Sequence, residues 1–287
     1  MIDMTVIILT KNEEKNIKKC INSVKEIAKR IIIMDSFSTD KTVKIAKDLN
    51  CDIYQHEFKH YGAQFQHALD NCDIKTKWVF RLDADEEVSK ESKEEIIKLC
   101  RENENTNVNG FIFRLQNNFL NKRMKHGFLS VLEKLCIFKY KKAYMEDRYL
   151  GEQLILTEGR SIKMKTLSYH NDYKDLDFWI KKMNWYAQRE AKDFLYQKNK
   201  KQELSALDKP TKIRRFIKYN IYYKLPSKLK VKLVYYYYHY IKLGFLDGKE
   251  GYYRDYLTVY WYRTLVEAKI FEVTKNKTEI GETGSWD

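Results

Sequence analysis

Four short apolar runs, at residues 4–9, 31–34, 51–54 and 78–82, are separated by stretches in which apolar residues recur every third or fourth position. Short runs rich in β-branched residues read as strands, and three-to-four spacing reads as a helix with one buried face. Ile17, Cys20, Ile21, Val24, Ile27 and Ala28 form such a face after the first run; Val43, Ala46 and Leu49 form another after the second. Residues 62–71 and a charged stretch from Ser92 to about Glu104 supply two more helices. Strands alternating with helices over short connections build a mostly parallel sheet through right-handed crossovers. Further on, residues 110–115 and 135–140 read as strands, another strand begins at Ser161, and residues 175–198 and about 252–273 read as helices. Residues 117–134 show little regular pattern and carry Lys122, Arg123, Lys125, His126 and Gly127, the composition of a functional loop.

The chain has 287 residues, 44% of them hydrophobic, enough for one large α/β domain or for one domain with an appended module. A net charge of +14 favours an acidic partner: nucleic acid, an anionic membrane or a phosphorylated substrate. Five cysteines with no C-x-x-C spacing favour neither a disulfide framework nor a zinc site, and read as buried thiols of a reducing compartment. The first nine residues lack a basic leader and no apolar run reaches membrane-spanning length, so the expected location is cytoplasmic.

The fourth run ends in Arg81-Leu82-Asp83-Ala84-Asp85-Glu86. Acidic residues here can simply begin a solvated helix, with Glu86, Glu87, Ser89 and Ser92-x-x-Glu95 as start signals. A strand ending in two acids also delivers both to the C-terminal edge of the sheet, where open α/β sheets bind ligands. Thr10-Lys11-Asn12-Glu13 and Asp35 end the first two runs at the same edge, so a nucleotide fits across them. Neither a G-x-G-x-x-G fingerprint nor a P-loop is present, which leaves the phosphates to a divalent ion. Mg²⁺ or Mn²⁺ takes oxygen ligands from one or two carboxylates together with substrate phosphates.

In this order and spacing, Thr10-Lys11-Asn12-Glu13-Glu14-x-Asn16-Ile17, Asp35-Ser36-x-Ser38-Thr39-Asp40-x-Thr42, Tyr61-Gly62-Ala63-Gln64-x-x-x-Ala68-Leu69 and Trp78-x-x-x-Leu82-Asp83-Ala84-Asp85-Glu86 resemble the family 2 inverting glycosyltransferases. The likeness is strongest to the bacterial enzymes of lipopolysaccharide core, capsule and exopolysaccharide synthesis, with Lys11 where many relatives carry tyrosine. It implies a Rossmann-like nucleotide-sugar-binding α/β domain of GT-A type with a C-terminal helical extension. A nucleotide-diphospho-sugar donor, UDP-linked by preference, is then held by Thr10, Asn12, Glu13 and Asp35 around the nucleoside, with Gln64 and Arg81 nearer the phosphates. Asp85 becomes the direct ligand of Mn²⁺ or Mg²⁺, Asp83 its neighbour at the ribose or the ion's waters, and His170 a further metal ligand; a lone histidine is otherwise a satisfied structural residue. Gly151-Glu152-Gln153-Leu154 resembles the subgroup's base motif, which makes Glu152 the general base for the acceptor hydroxyl, with Asp147 as rival. The resemblance continues through Trp179-x-x-Lys182-x-Asn184-x-Tyr186-Ala187-x-Arg189-Glu190-Ala191 and Gly244-Phe245-Leu246-Asp247-Gly248.

By role, residues 1–109 form the donor half, 110–198 the acceptor and base half, and 199–287 a basic, aromatic-rich helical extension that associates with membranes or with a second copy. Between residues 198 and 232, twelve lysines and arginines face only Glu203 and Asp208 and are interleaved with tyrosines. Such segments lie in anionic membrane interfaces, stack on nucleic acid, or form a solvated face packed on the main domain. The acceptors of the resembled enzymes, glycans or lipid-linked saccharides, favour the inner face of the cell membrane over nucleic acid. Two other classes stay open: a non-catalytic module binding RNA or membrane, and a sugar-nucleotide nucleotidyltransferase, which would want a glycine-rich phosphate loop after the first strand.

Overall fold

The structure, a computed structural model, describes residues 1–146, 151–171, 175–198 and 209–276. The chain forms two compact units, one of residues 1–121 and 131–173, the other of residues 122–130 and 174–287. This division by compactness differs from the expected division by role, because the helix at 176–198 packs with the last helix of the chain.

The first unit contains β1 (Ile2–Thr10), α1 (Ile17–Val24), β2 (Ala28–Asp35), α2 (Thr42–Asp48), β3 (Asp52–Gln55), α3 (Tyr61–Asn71), β4 (Trp78–Asp83), β5 (Glu86–Glu87) and α4 (Lys90–Glu102). β6 (Val108–Phe119) follows, and after the short β7 (Lys122–Arg123) come β8 (Val131–Lys139), β9 (Ala143–Met145), β10 (Leu154–Leu156), β11 (Arg160–Lys163) and β12 (Ser168–His170). The main sheet runs β3-β2-β1-β4-β8-β6-β12-β5. β3, β2, β1 and β4 are mutually parallel, as the alternation of runs and helices predicts. β8 is antiparallel to both β4 and β6, and β12 is parallel to β6. Two reversals restore the direction, so β1, β2, β4 and β12 all end at one edge of the sheet.

The near-continuous apolar runs reflect burial on both faces. Val6, Ile8, Ile33, Phe80 and Leu82 point into a core with α1 and α4, whereas Ile7, Leu9, Ile32, Met34 and Val79 pack against Phe65 and Phe138 on the other side. Helix α1 buries Ile17, Cys20, Ile21 and Val24, the stripe its spacing predicts. Helix α4 starts earlier than Ser92, because Ser89 accepts the amide proton of Ser92 at 3.1 Å and caps it. The irregular stretch is shorter than the sequence suggests, since β6 extends to Phe119 and β8 begins at Val131. Residues 131–134 are therefore strand, and Lys134 lies within it.

The second unit holds α5 (Leu176–Lys198), α6 (Lys209–Asn220), α7 (Ser227–Tyr236), α8 (Gly248–Asp255) and α9 (Tyr262–Asn276). The expected aromatic helix at 252–273 is interrupted by a π-helical stretch at Tyr256–Trp261. Glu190 of α5 lies at its centre and accepts from Lys218 Nζ and Tyr262 OH at 2.7 Å each, from Arg263 at 3.0 Å and from Tyr223 OH at 3.3 Å. Burial would raise the Glu190 carboxyl, but Lys218 and Arg263 hold it far below the usual carboxylate range. Lys230, another of the counted bases, is buried against Glu267 at 2.7 Å. Part of the basic stretch is thus internal wiring.

The Gly244–Asp247 turn and α8 explain the glycine-rich segment. Asp247 accepts from the backbone amides of Lys125 and His126, at 2.8 Å each, and faces His126 Nδ1 at 2.9 Å. Asp255 accepts from the Phe128 amide at 3.1 Å and faces His239 Nδ1 at 3.1 Å. A side chain on Gly244 would overlap the Asp255 carboxylate, so only glycine fits there. Among the described residues no helix is long and apolar enough to cross a membrane.

Candidate active site

The site is built from strand ends. Thr10 and Asp35 are register partners at the ends of β1 and β2, and Leu9 pairs with Asp83 of β4. Asp35 is fully buried, so its carboxylate must find donors inside the protein. It accepts from Thr10 Oγ1 at 3.0 Å, from the Ser38 amide at 2.9 Å, from Ser38 Oγ at 2.5 Å and from Gln55 Nε2 at 3.2 Å.

The two loops above it are stitched together. Asn12, in the left-handed region at φ 52°, accepts the Thr39 amide at 2.9 Å and donates its own amide to Ser38 Oγ at 2.9 Å. Lys11 Nζ donates to the carbonyls of Ser36 and Phe37 at 3.0 and 2.9 Å. Glu13 donates its amide to Thr42 Oγ1 at 2.7 Å, and its carboxylate accepts from Asn16 Nδ2 at 2.8 Å. Gln64 is buried in α3, donates to Ser36 Oγ at 3.1 Å and faces His56 Nδ1 at 2.7 Å. Its amide therefore braces the loop after β2 from beneath.

Past the end of β4 the charges are dense. Lys134 Nζ lies 2.6 Å from Asp83 Oδ2 and 2.5 Å from Glu86 Oε1. Glu86 Oε2 in turn accepts the Asp83 amide at 3.0 Å, and an Arg81 guanidinium nitrogen lies 3.6 Å from Asp83 Oδ1. Burial would raise the Asp83 carboxyl, yet Lys134 first and Arg81 second bring it down to about 2. Burial dominates at Glu86 and, despite Lys134, pushes its carboxyl up to about 7. Lys134 and Arg81 would lose charge through burial, but the acids around them, Asp83 foremost, hold both firmly protonated.

Asp85 points elsewhere. Its Oδ2 lies 3.0 Å from His170 Nε2 at the end of β12, and its carbonyl accepts the Asn171 amide at 2.7 Å. The other ring nitrogen of His170 lies 2.6 Å from Asn117 Oδ1, and Asn117 is its register partner on β6. Asn117 and Asp85 thus hold the two ring nitrogens of His170 and fix the orientation of the ring. Among the described residues no group of three or more His, Cys, Asp or Glu side chains is arranged to hold a metal. The carboxylate and imidazole at Asp85 and His170 nevertheless form a donor pair of the kind Mn²⁺ and Mg²⁺ accept when phosphates complete the shell.

Glu152 stands just before β10, opposite α3. Its Cγ lies 3.4 Å from the point where a side chain on Gly62 would begin, and the Glu146 carbonyl lies 2.8 Å from the same point. Its charge is one of those that hold Arg81 protonated, behind Asp83, so it lies within electrostatic reach of the acidic pair. Glu146 accepts the Gln153 amide at 3.3 Å. Asp147 lies outside the described residues.

Sequence reasoning did not single out Lys134 or Asn117, and quoted Ser38 within its motif without a role. The available signal for Lys134 was a lysine at 134 beside the apolar run Leu135-Cys136-Ile137-Phe138, where a charge needs a partner.

Residues 5–164 match the family model described as Glycosyl transferase family 2. An uncharacterized glycosyltransferase of Rickettsia typhi is 29% identical over 207 residues, covering 69% of this chain and 70% of that protein. The SPbeta prophage-derived glycosyltransferase SunS of Bacillus subtilis is 41% identical over 98 residues, 33% of this chain and 22% of SunS. The lipopolysaccharide core biosynthesis glycosyltransferase LpsC of Rhizobium meliloti is 35% identical over 96 residues, 32% of this chain and 34% of LpsC. Among solved structures, residues 1–349 of Staphylococcus aureus TarS align with a TM-score of 0.46 at 15% identity, covering 97% of this chain and 92% of that one.

Proposed function

Because the chain belongs to glycosyl transferase family 2, and so is a glycosyltransferase using a nucleotide-sugar donor, we propose an inverting, metal-assisted transfer. In this reading a hexose or N-acetylhexosamine passes from a nucleotide-diphospho-sugar, UDP-linked by preference, to a hydroxyl of a cell-surface glycan or lipid-linked saccharide. The observation that carries it is the convergence of Asp35, Asp83, Asp85 and His170 at the C-terminal ends of β2, β4 and β12. The polysaccharide-type acceptor draws support from the name of LpsC.

Thr10, Asn12, Glu13 and Asp35 surround the nucleoside, Gln64 supports that loop, and Arg81 faces the diphosphate. Asp85 and His170 hold the divalent ion, and Asp83 takes the ribose or the ion's waters. When bound, Mn²⁺ or Mg²⁺ supplies positive charge against the departing diphosphate. Glu152 or Asp147 takes the proton of the acceptor hydroxyl as its oxygen attacks the anomeric carbon from the face opposite the diphosphate; the proximity of Glu152 to Arg81 favours Glu152.

Transfer from UDP-sugars, assayed with Mn²⁺ or Mg²⁺, tests the scheme. Asp85→Ala abolishes activity in this reading, and full activity in that variant refutes the metal assignment. Removing the true base lowers kcat by roughly 10²–10⁴-fold at unchanged donor affinity, so Glu152→Gln and Asp147→Asn separate the two candidates. Retained turnover in both sinks the base assignment.

The second unit supports association with an anionic membrane surface. Phe216, Tyr236, Ile241 and Leu246 are each more than half exposed, in a region rich in lysine. Flotation of the full chain with phosphatidylserine vesicles, and its loss in high salt, is the corresponding test; self-association measured in parallel separates a copy-to-copy surface from a lipid-facing one.

A further inference from the structure

We propose that Lys134 is a positioning residue, a fixed internal cation that withholds Asp83 from the divalent ion and keeps its carboxylate for the donor. The inference rests on the metal-assisted reading above and adds the residue that enforces the division of labour between Asp83 and Asp85 stated there.

β8 runs antiparallel beside β4, and past the last paired residues, Phe80 and Ile137, the Lys134 side chain reaches Asp83 at the end of β4. The ammonium sits 2.6 Å from Asp83 and 2.5 Å from Glu86, and Glu86 closes the ring by accepting the Asp83 amide. One Asp83 oxygen is thus occupied by a permanent charge. The other, Oδ1, is buried and has no hydrogen-bond partner, with only the Arg81 guanidinium near it at 3.6 Å. A buried carboxylate oxygen left without a donor costs stability unless a ligand supplies one. A hydroxyl of the donor is a donor group of the required kind; a second divalent cation is not, because Lys134 and Arg81 already stand against the Asp83 carboxylate.

Asp85 makes no such pair with either cation and faces His170 instead. The two acids separated by one residue therefore see different chemistry: Asp83 a pair of fixed cations, Asp85 an imidazole that can share an exchangeable one. Asp83 ends β4 and Asp85 lies in the turn that follows, and Lys134, reaching in from β8, holds the first of them.

Mn²⁺ binding to the full chain, followed by electron paramagnetic resonance with and without UDP, tests this apart from turnover. Asp83→Asn leaves Mn²⁺ affinity without nucleotide within about twofold and weakens UDP binding, whereas Asp85→Ala removes Mn²⁺ binding. Lys134→Met frees Asp83, raises Mn²⁺ affinity without nucleotide by tenfold or more and lowers UDP affinity; Lys134→Arg restores the wild-type pattern. Should Lys134→Met not fold, the neutral double variant Lys134→Met with Glu86→Gln frees Asp83 in the same way. A tenfold loss of Mn²⁺ affinity in Asp83→Asn, or no gain in either lysine variant, overturns the proposal while leaving a metal at Asp85 intact. A wild-type chain that binds no Mn²⁺ with or without UDP overturns both.

Discussion

Replacing Glu190 by glutamine should destabilise the second unit while leaving its shape almost unchanged. The carboxylate accepts from two cations and two phenols, at 2.7 to 3.3 Å, and is nearly inaccessible to solvent. Glutamine keeps the volume but withdraws the negative charge, leaving Arg263 and Lys218 without a counter-ion. Removing one member of a buried ion pair costs roughly 3–5 kcal/mol. The Lys218 side chain is a third exposed and can turn to water, so its share is discounted and the expected loss is about 3 kcal/mol.

Urea unfolding followed by near-ultraviolet circular dichroism, which reports the packed tyrosines, reads this as a midpoint lower by about 1–3 M. The pH dependence supplies an independent check. The Glu190 carboxyl is depressed in the folded state, so the protonated form binds its proton more weakly there than in the unfolded chain. Its contribution is complete above the unfolded value of about 4.3 and fades as pH falls below that value. The gap between wild type and Glu190→Gln should therefore narrow from pH 5 downward. A gap under about 0.5 kcal/mol at pH 7, or one that stays constant down to pH 3, refutes the assignment of this hub.

Three further outcomes follow from the described geometry. Asp35→Asn leaves some of the four donors around that buried carboxylate without an acceptor and should weaken UDP binding about 10–100-fold by calorimetry, using about 1.5–3 kcal/mol for a charged hydrogen bond. Gly62→Ala drives a methyl group into the Glu146 carbonyl and toward Glu152, so a loss of about 1–3 kcal/mol on thermal melting should accompany a fall in kcat with little change in donor KM; unchanged kcat argues against a role for Glu152. Asp247→Asn weakens the hold on the Lys125 and His126 amides, and limited proteolysis should then cut residues 122–130 faster than in wild type.

Much of the structure of residues 1–109 was legible because its signals are local. Each apolar run is a strand buried on two faces, each polar elbow follows it directly, and parallel order carries Thr10, Asp35 and Asp83 to one edge without further information. What escaped depends on pairings between residues distant in the chain. Lys134 meets Asp83 only because β8 runs antiparallel beside β4, and Asn117 meets His170 only because β12 adds in parallel to β6. The basic stretch misleads for a related reason: a charge count cannot distinguish Lys230, buried on Glu267, from a lysine that faces solvent. The expectation of one long aromatic helix likewise missed the π-helical stretch at Tyr256–Trp261, which a three-to-four repeat does not report.

The segment at residues 122–130 belongs to the second unit although both its neighbours in the chain belong to the first. The polypeptide consequently passes between the units three times, after residues 121, 130 and 173. A single cut cannot divide them, and a fragment ending near 173 would keep residues 122–130 while discarding Asp247 and Asp255, whose carboxylates hold them. Exchange of whole C-terminal regions between related enzymes is therefore constrained: an incoming region must bring acids matched to the resident loop, or the loop must travel with it. The loop and the helical unit would then be inherited together, as one block split across two places in the gene.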